Sequence, residues 1–253
     1  MNSLTFDELN QLAQSVGTLQ GWDFSCIRAQ HAPVLWDYAD VVRQYLKPTD
    51  HVLDIGTGGG EIFLSLAPFF GKGTGIDQNP TMIATAQHNL ASLNIDNVVL
   101  SHMEANHLQF DSATFDVVLL RHLHVYVNEI VRVLRPGGVF ITQMIGKRSV
   151  LNFLEAFGWT PASFGPDWWQ PVNELADQFR LLDCHVLAVA EYDVPFWFQD
   201  IESFLFWVMA VPWPEQFDLE NHWHNINRIL ETSQTECGIE TNEHRGLLVV
   251  QKQ

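Results

Sequence analysis

The segment Val52-Leu-Asp-Ile-Gly-Thr-Gly-Gly-Gly60 constrains this chain more than any other. A short apolar run that stops at glycines reads as a strand buried on both faces. Glycine is needed behind it, because a tight strand-to-helix turn asks for backbone angles that a Cβ resists. A helix is expected next, over residues 62–69. In an open α/β sheet, ligands sit in the crevice beyond the carboxyl ends of the strands. The segment therefore predicts a fold class and a ligand position together.

The same alternation continues along the chain. Apolar runs at 73–77, 98–100, 115–120 and 139–142 are separated by helical spacing at 81–93 and 128–134. Strands alternating with helices predict a parallel sheet with right-handed crossovers. Ahead of this pattern, Leu4, Leu9, Leu12 and Val16 are spaced for a helix over 4–16, and a second helix spans 34–46 before Pro48. Behind it, 171–182 reads as a helix, 186–192 as a strand, 201–211 and 219–232 as helices, and 247–251 as a last strand. No repeat or low-complexity linker divides the chain, so one domain is expected over 1–253.

The charge narrows the partners. The chain carries 13 Lys and Arg against 30 Asp and Glu, a net −17. Phosphate backbones and anionic membranes attract clustered cations, and no basic run occurs here. Nucleic acid is thus an unfavoured partner. No run reaches the roughly 18 apolar residues of a spanning helix, and the first residues lack a signal-peptide pattern, so a cytoplasmic protein without a membrane partner is expected. Cys26, Cys184 and Cys237 are scattered and odd in number, which fits neither a disulfide framework nor a metal site.

Two acidic residues refine the ligand. Asp77 ends the second core strand, where a carboxylate accepts both hydroxyls of a ribose. Its competing role is a turn or helix-capping aspartate, with Thr81 as a rival cap. A dinucleotide loop needs glycine at the position held by Glu61. A carboxylate there repels a pyrophosphate but tolerates a sulfonium and an α-amino group. Glu61 also suits a helix N-terminus, whatever the ligand.

In this order, the motifs resemble the class I, Rossmann-like S-adenosylmethionine-dependent methyltransferases, in particular a bacterial type 11-like group. Residues 52–61 are similar to the family's first motif, and Gly75-Ile-Asp-Gln-Asn-Pro80 to its acidic strand end. Met103-Glu-Ala-Asn-His-Leu-Gln-Phe110, Phe115-Asp-Val-Val-Leu-Leu120 and Val131-Arg-Val-Leu-Arg-Pro-Gly-Gly-Val-Phe-Ile-Thr142 resemble the later motifs. The resemblance implies a doubly wound, mostly parallel seven-stranded sheet, with helices on both faces and one antiparallel strand near the C-terminus. It implies a helical lid over 1–48, a cofactor-binding core over 49–146, and an aromatic-rich part over 147–253 that completes the sheet.

The cofactor implied is S-adenosyl-L-methionine. Asp54, Gly56, Thr57 and Gly58 match positions around its methionine part, Asp77 the ribose acid, and Gln78 a position beside the adenine. Glu104, with Ala105 next to it, stands where the family often has Asp, one methylene shorter. Arg121 matches a position beside the methyl group. No metal is implied.

Methyl transfer from a sulfonium is an in-line displacement, in which the protein chiefly orients the reactants. A base is needed only if the nucleophile carries a proton. Arg121, His122, His124 and Tyr126 cluster after the fourth core strand, with His122 the first candidate base. Packing or ordinary loop hydrogen bonds are the equal alternative for all four. Trp22 and Asp23 are candidates for a lid. Trp168, Trp169, Phe196, Trp197, Phe198 and Trp207 either wall an apolar pocket or pack the C-terminal helices. The expected acceptor is a small, partly apolar or aromatic molecule. Competing readings are an RNA or protein acceptor, a cofactor-binding module without transfer, and a nicotinamide dehydrogenase.

Overall fold

Thr5 and Glu8 close the first helix reciprocally. The Thr5 backbone donates to Glu8 at 2.8 Å and the Glu8 backbone to the Thr5 hydroxyl at 3.3 Å. In the computed structural model, which describes residues 3–165 and 169–253, this helix is α1 (Phe6–Ser15), followed by β1 (Ala29–His31) and α2 (Tyr38–Arg43). The alternating core comprises β2 (His51–Ile55), α3 (Glu61–Leu66), β3 (Lys72–Asp77), α4 (Pro80–Ser92), β4 (Val98–His102), β5 (Phe115–Arg121), α5 (Val127–Val133) and β6 (Leu134–Ile145). Then come α6 (Leu151–Phe157), α7 (Val172–Arg180), β7 (Cys184–Phe198), α8 (Ile201–Ala210), α9 (Leu219–Ser233), β8 (Gln234–Thr235) and β9 (Gly238–Lys252).

The sheet runs β1-β7-β9-β6-β5-β2-β3-β4, with β8 paired beside β9. Strands β4, β3, β2, β5 and β6 are parallel. β9 lies antiparallel between β6 and β7. The seven expected strands are therefore all present in a doubly wound order, but the count is nine. β1 and β8 are additions, of 3 and 2 residues, too short to carry a sequence pattern. β1 also means that residues 1–48 are not wholly helical. Its Ala29, Gln30 and His31 pair antiparallel with the far end of β7.

Alternation along the strands makes two cores. On one face, Leu53, Val118, Phe140 and Leu248 pack against Ile130 of α5 and Leu175 and Phe179 of α7. On the other, Val52, Leu119, Ile141 and Leu247 meet Tyr38 and Val42 of α2 and Phe63 and Leu64 of α3. A third cluster fills the C-terminal side, where α6, α8, α9 and Leu9 of α1 close over Phe198 and Ile239. Helix α1 thus belongs to this cluster rather than to a cover over the glycine turn. Among the described residues, no helix is long and apolar enough to cross a membrane.

Helix α8 is capped by Asp200, whose carboxylate accepts from the Ser203 backbone at 2.8 Å. Asp200→Ala is expected to cost about 1 kcal/mol, read as a melting temperature lower by roughly 2–4 °C. An unchanged melting curve would mean the cap is not holding the helix.

Candidate active site

The glycine turn is built as its composition demands. Gly56, Gly58 and Gly60 all have positive φ, at 73°, 57° and 82°. The Gly56 and Thr57 backbone N–H groups donate to Ile76 O at 2.8 and 2.9 Å, tying the turn to the end of β3. Asp77 closes the same junction. One of its oxygens accepts from Gly58 N at 3.0 Å and the other from Asn79 N at 2.8 Å. Asn79, not Thr81, caps α4, accepting from Thr81 N at 2.9 Å. Asp77 therefore makes a turn contact without being the helix cap. A carboxylate offers about four acceptor positions, so further hydroxyl donors remain accommodated.

Asp54, at the end of β2, is half-buried beside Thr57 and Arg121. Burial is the largest influence and pushes its pKa up to about 6, against the opposing pull of the Thr57 hydroxyl and the Arg121 guanidinium.

Residues 20–24 lie over the turn, which places the expected lid residue Trp22 against it. A methyl group added at Gly58 would come within 2.5 Å of Trp22 Cδ1, and one at Gly56 would overlap Leu123 Cδ1. The glycines thus let Trp22 and Leu123 reach the backbone where a ligand would. Glu61 holds this arrangement, since its Oε1 accepts from Trp22 N at 2.9 Å. The sequence assigned Glu61 to ligand discrimination; its clasp on residue 22 is a long-range contact that no local pattern announces. Removing that acceptor in Glu61→Ala is expected to lower amide-exchange protection of residues 20–24 about 10-fold. Unaltered protection would show that packing alone keeps the segment down.

Beyond β5, the chain turns sharply at His122, which has φ 62°. The Arg121 guanidinium lies 5.9 Å from the centre of the Tyr38 ring. His122 Nε2 sits 3.3 Å from Gln143 Nε2, and Gln143 Oε1 accepts from Trp36 Nε1 at 2.9 Å. The indole can only donate, so the amide turns its NH₂ to His122 and the imidazole accepts at Nε2. Burial first, then Arg245 and Arg121, hold the His122 pKa well below its usual value. It is a neutral ring whose Nε2 lone pair is already engaged. A proton could reach that nitrogen only if Gln143 swung away.

His124 faces other partners, with Nε2 3.4 Å from Gln170 Nε2 and its ring 4.7 Å from Tyr126. Gln78 and Glu104 are exposed at the ends of β3 and β4, with Ala105 partly buried against the first core. Asp77 pairs with His102 in the sheet register, which brings these residues to one edge of the crevice.

The C-terminal aromatics divide. Phe153, Phe198 and Phe204 are fully buried and pack on one another, and Trp207 lies against Phe153 and Phe198, with ring centres 5.2–6.3 Å apart. Phe198, expected as a possible pocket wall, is therefore core, with Trp207 packed beside it. Phe196 also packs on Phe198, at 5.0 Å, and Trp197 Nε1 donates to Glu240 at 2.7 Å. Trp169 receives Lys147 Nζ 5.3 Å from its ring centre. Trp168 lies outside the described residues.

A family model described as a methyltransferase domain matches residues 52–138, from β2 into β6. Over residues 52–138 the chain is similar to that methyltransferase-domain family. Curated relatives are similar over the same region. The chain is 33% identical over 99 residues to the sterol 4-C-methyltransferase strm-1 of Caenorhabditis elegans, covering 36% of this chain and 30% of that one. It is 25% identical over 157 residues to the ubiquinone/menaquinone biosynthesis C-methyltransferase UbiE of Zymomonas mobilis, covering 58% and 64%. The chain thus spans less than two thirds of the length of either relative.

Solved structures extend the likeness of fold beyond that region. The YcgJ protein of Bacillus subtilis superposes with a TM-score of 0.61 at 17% identity, over 85% of this chain and 98% of that one. The [4+2]-cyclase SpnF superposes with a TM-score of 0.56 at 17% identity, over 98% and 93%. A neighbour named as a cyclase shows that this fold does not by itself fix the reaction.

Proposed function

We propose that this chain transfers a methyl group from S-adenosylmethionine to a small organic molecule. One observation carries the reading. Two carboxylates, Asp54 and Asp77, stand at the ends of adjacent strands on either side of a glycine turn, inside the matched domain. Their chemistry fits the donor: a half-buried carboxylate for the α-ammonium and a strand-end carboxylate for the ribose hydroxyls. Asp54, Gly56, Thr57 and Gly58 would hold the methionine part, and Asp77 the ribose. Gln78, Glu104 and Ala105 border the adenine, and Arg121 lies on the methyl side.

When bound, the donor supplies a methyl group already activated by its sulfonium. The protein's own part is to align the acceptor and exclude water. Trp22 and Leu123 give up their places on Gly58 and Gly56 and become walls of the closed site. Trp22 and Leu123, with Phe24 next to Trp22 at 6.0 Å, support a partly apolar acceptor. His122 is a neutral wall on that side, and serves as a base only after Gln143 releases it.

Calorimetric titration with S-adenosylmethionine and S-adenosylhomocysteine tests the reading. Micromolar binding of both is expected. No detectable heat with either at about 1 mM, where a Kd is worth only about −4 kcal/mol, would overturn it.

A further inference from the structure

One polar stripe crosses the sheet, and its register shows that its members share a face. Asp54 pairs with Leu119, two residues before Arg121 on β5. Arg121 pairs with Gln143 on β6. Two residues on, Ile145 pairs with Arg245 of β9, and Arg245 pairs with Tyr192 of β7. Paired residues and i, i+2 neighbours point the same way. Leu119 and Leu247 place this face on the second core, under residues 36–38. Contacts agree with that placement. Trp36 reaches Gln143, and its ring lies 4.6 Å from the Tyr192 ring.

Apart from Asp54 and Glu243, this stripe gives its two arginines no anion among the described residues. Arg245, with a side chain only 16% exposed, binds Glu243 at 2.9 Å, Ser149 Oγ at 3.0 Å and His244 O at 2.9 Å. Its Nε is buried with no partner. Glu243 is shared with Tyr192, whose hydroxyl donates to it at 3.3 Å. Among the described residues, Arg121 has only the Tyr38 ring against it and no carboxylate at ion-pair distance. Asp54 is in electrostatic range but faces the glycine turn and is reserved there for a cation. A buried guanidinium left short of acceptors is costly, and a bidentate carboxylate is the group that matches its fork. A chain of net −17 that keeps two guanidiniums inside one site is specifying its ligand.

We propose that the methyl acceptor carries a carboxylate, and that Arg121 and Arg245 bind it beyond the ends of β5 and β6, next to His122. This rests on the transfer reaction proposed above. It makes the two arginines the determinants of substrate class, with the apolar walls accepting the rest of the molecule.

Acetate is the minimal probe and acetamide its neutral twin. At constant ionic strength, acetate at several times its Kd is expected to raise the melting temperature by about 2 °C, with no rise for acetamide. The rise should persist with saturating S-adenosylhomocysteine and vanish in Arg121→Gln and in Arg245→Gln. If Arg245→Gln fails to fold, Arg121→Gln carries the comparison. The assignment is overturned by no acetate effect in the parent protein, or by an effect that survives in the variants. It is also overturned if S-adenosylhomocysteine abolishes the effect, since the anion bound there is then the donor's own carboxylate. Failure of S-adenosylhomocysteine to bind at all would instead remove the transfer reading, leaving the acetate arm to judge the arginine site by itself.

Discussion

Asp77→Ala is expected to weaken S-adenosylmethionine binding by at least about 100-fold, because two hydroxyl hydrogen bonds to a charged acceptor are worth about 1.5–3 kcal/mol each. The substitution also frees the Gly58 and Asn79 backbone donors, which Asp77 now receives at 3.0 and 2.8 Å. Asn79 is exposed and recovers water, whereas Gly58 is buried and leaves a donor short of a partner, so a fall in melting temperature is expected as well. Asp77→Asn separates the two effects. It keeps one accepting oxygen for the turn but lacks the charge, so intermediate affinity with near-parental stability is expected. Affinity unchanged in Asp77→Ala, measured by calorimetry, would mean that the ribose does not lie at the end of β3.

The second large effect is a dependence of donor affinity on pH, set by Asp54. Its pKa of about 6 in the folded protein stands above the 3.8 of a free aspartate. For such a group, folding favours the protonated form. The native state gains stability from it as pH falls through 6 towards 4, and loses that gain as pH rises through 6. The corresponding free energy is of order 2–3 kcal/mol. An α-ammonium placed beside Asp54 reverses the preference, so binding expels a proton when the solution lies below pH 6.

Affinity should therefore be greatest near pH 7, where Asp54 is ionised and the α-amino group still charged, and fall towards 10-fold per unit below pH 6. Asp54→Asn should flatten this profile and weaken the donor at pH 8. The same variant should melt higher than the parent at pH 8 without ligand. Opposite signs for stability and binding from one isosteric change are hard to mimic by general damage. A pH profile kept intact in Asp54→Asn would assign the titration to another group.

The parts of the site that sequence revealed are those written by neighbouring residues. Asp54, Gly56, Gly58 and Asp77 occupy strand ends and turns, where local backbone demands select residue types directly. Elements were legible for the same reason. α4 and β5 carry their periodicity in unbroken runs, and the two helices between the last two strands stand where the sequence put them.

What escaped depends on pairing between distant segments. β7 continues to Phe198, well past the expected end at 192, because its outer half alternates Asp193, Pro195 and Trp197 with apolar residues and Pro195 reads as a terminator. Helix α6 is only 7 residues long. Gln143 lies inside β6 but one residue past the strand expected over 139–142. Only the β5–β6 register brings it against Arg121 and His122. Arg245, more than a hundred residues from Arg121, had no local signal at all. The tryptophans and phenylalanines suggested a pocket by composition, but most of those placed are spent on the third core.

The position of β9 also bears on how the chain acquires its structure. It comes last in the element order yet lies between β6 and β7. Until it inserts, β6 and β7 each present an open row of backbone donors and acceptors, the kind of edge that pairs with other chains. The five parallel strands and the glycine turn can assemble first, since all their partners precede residue 146. Arg245 arrives only with β9. During refolding the turn should therefore become ordered in a step that precedes closure of the arginine stripe, and the interval between them is the period of greatest risk for aggregation.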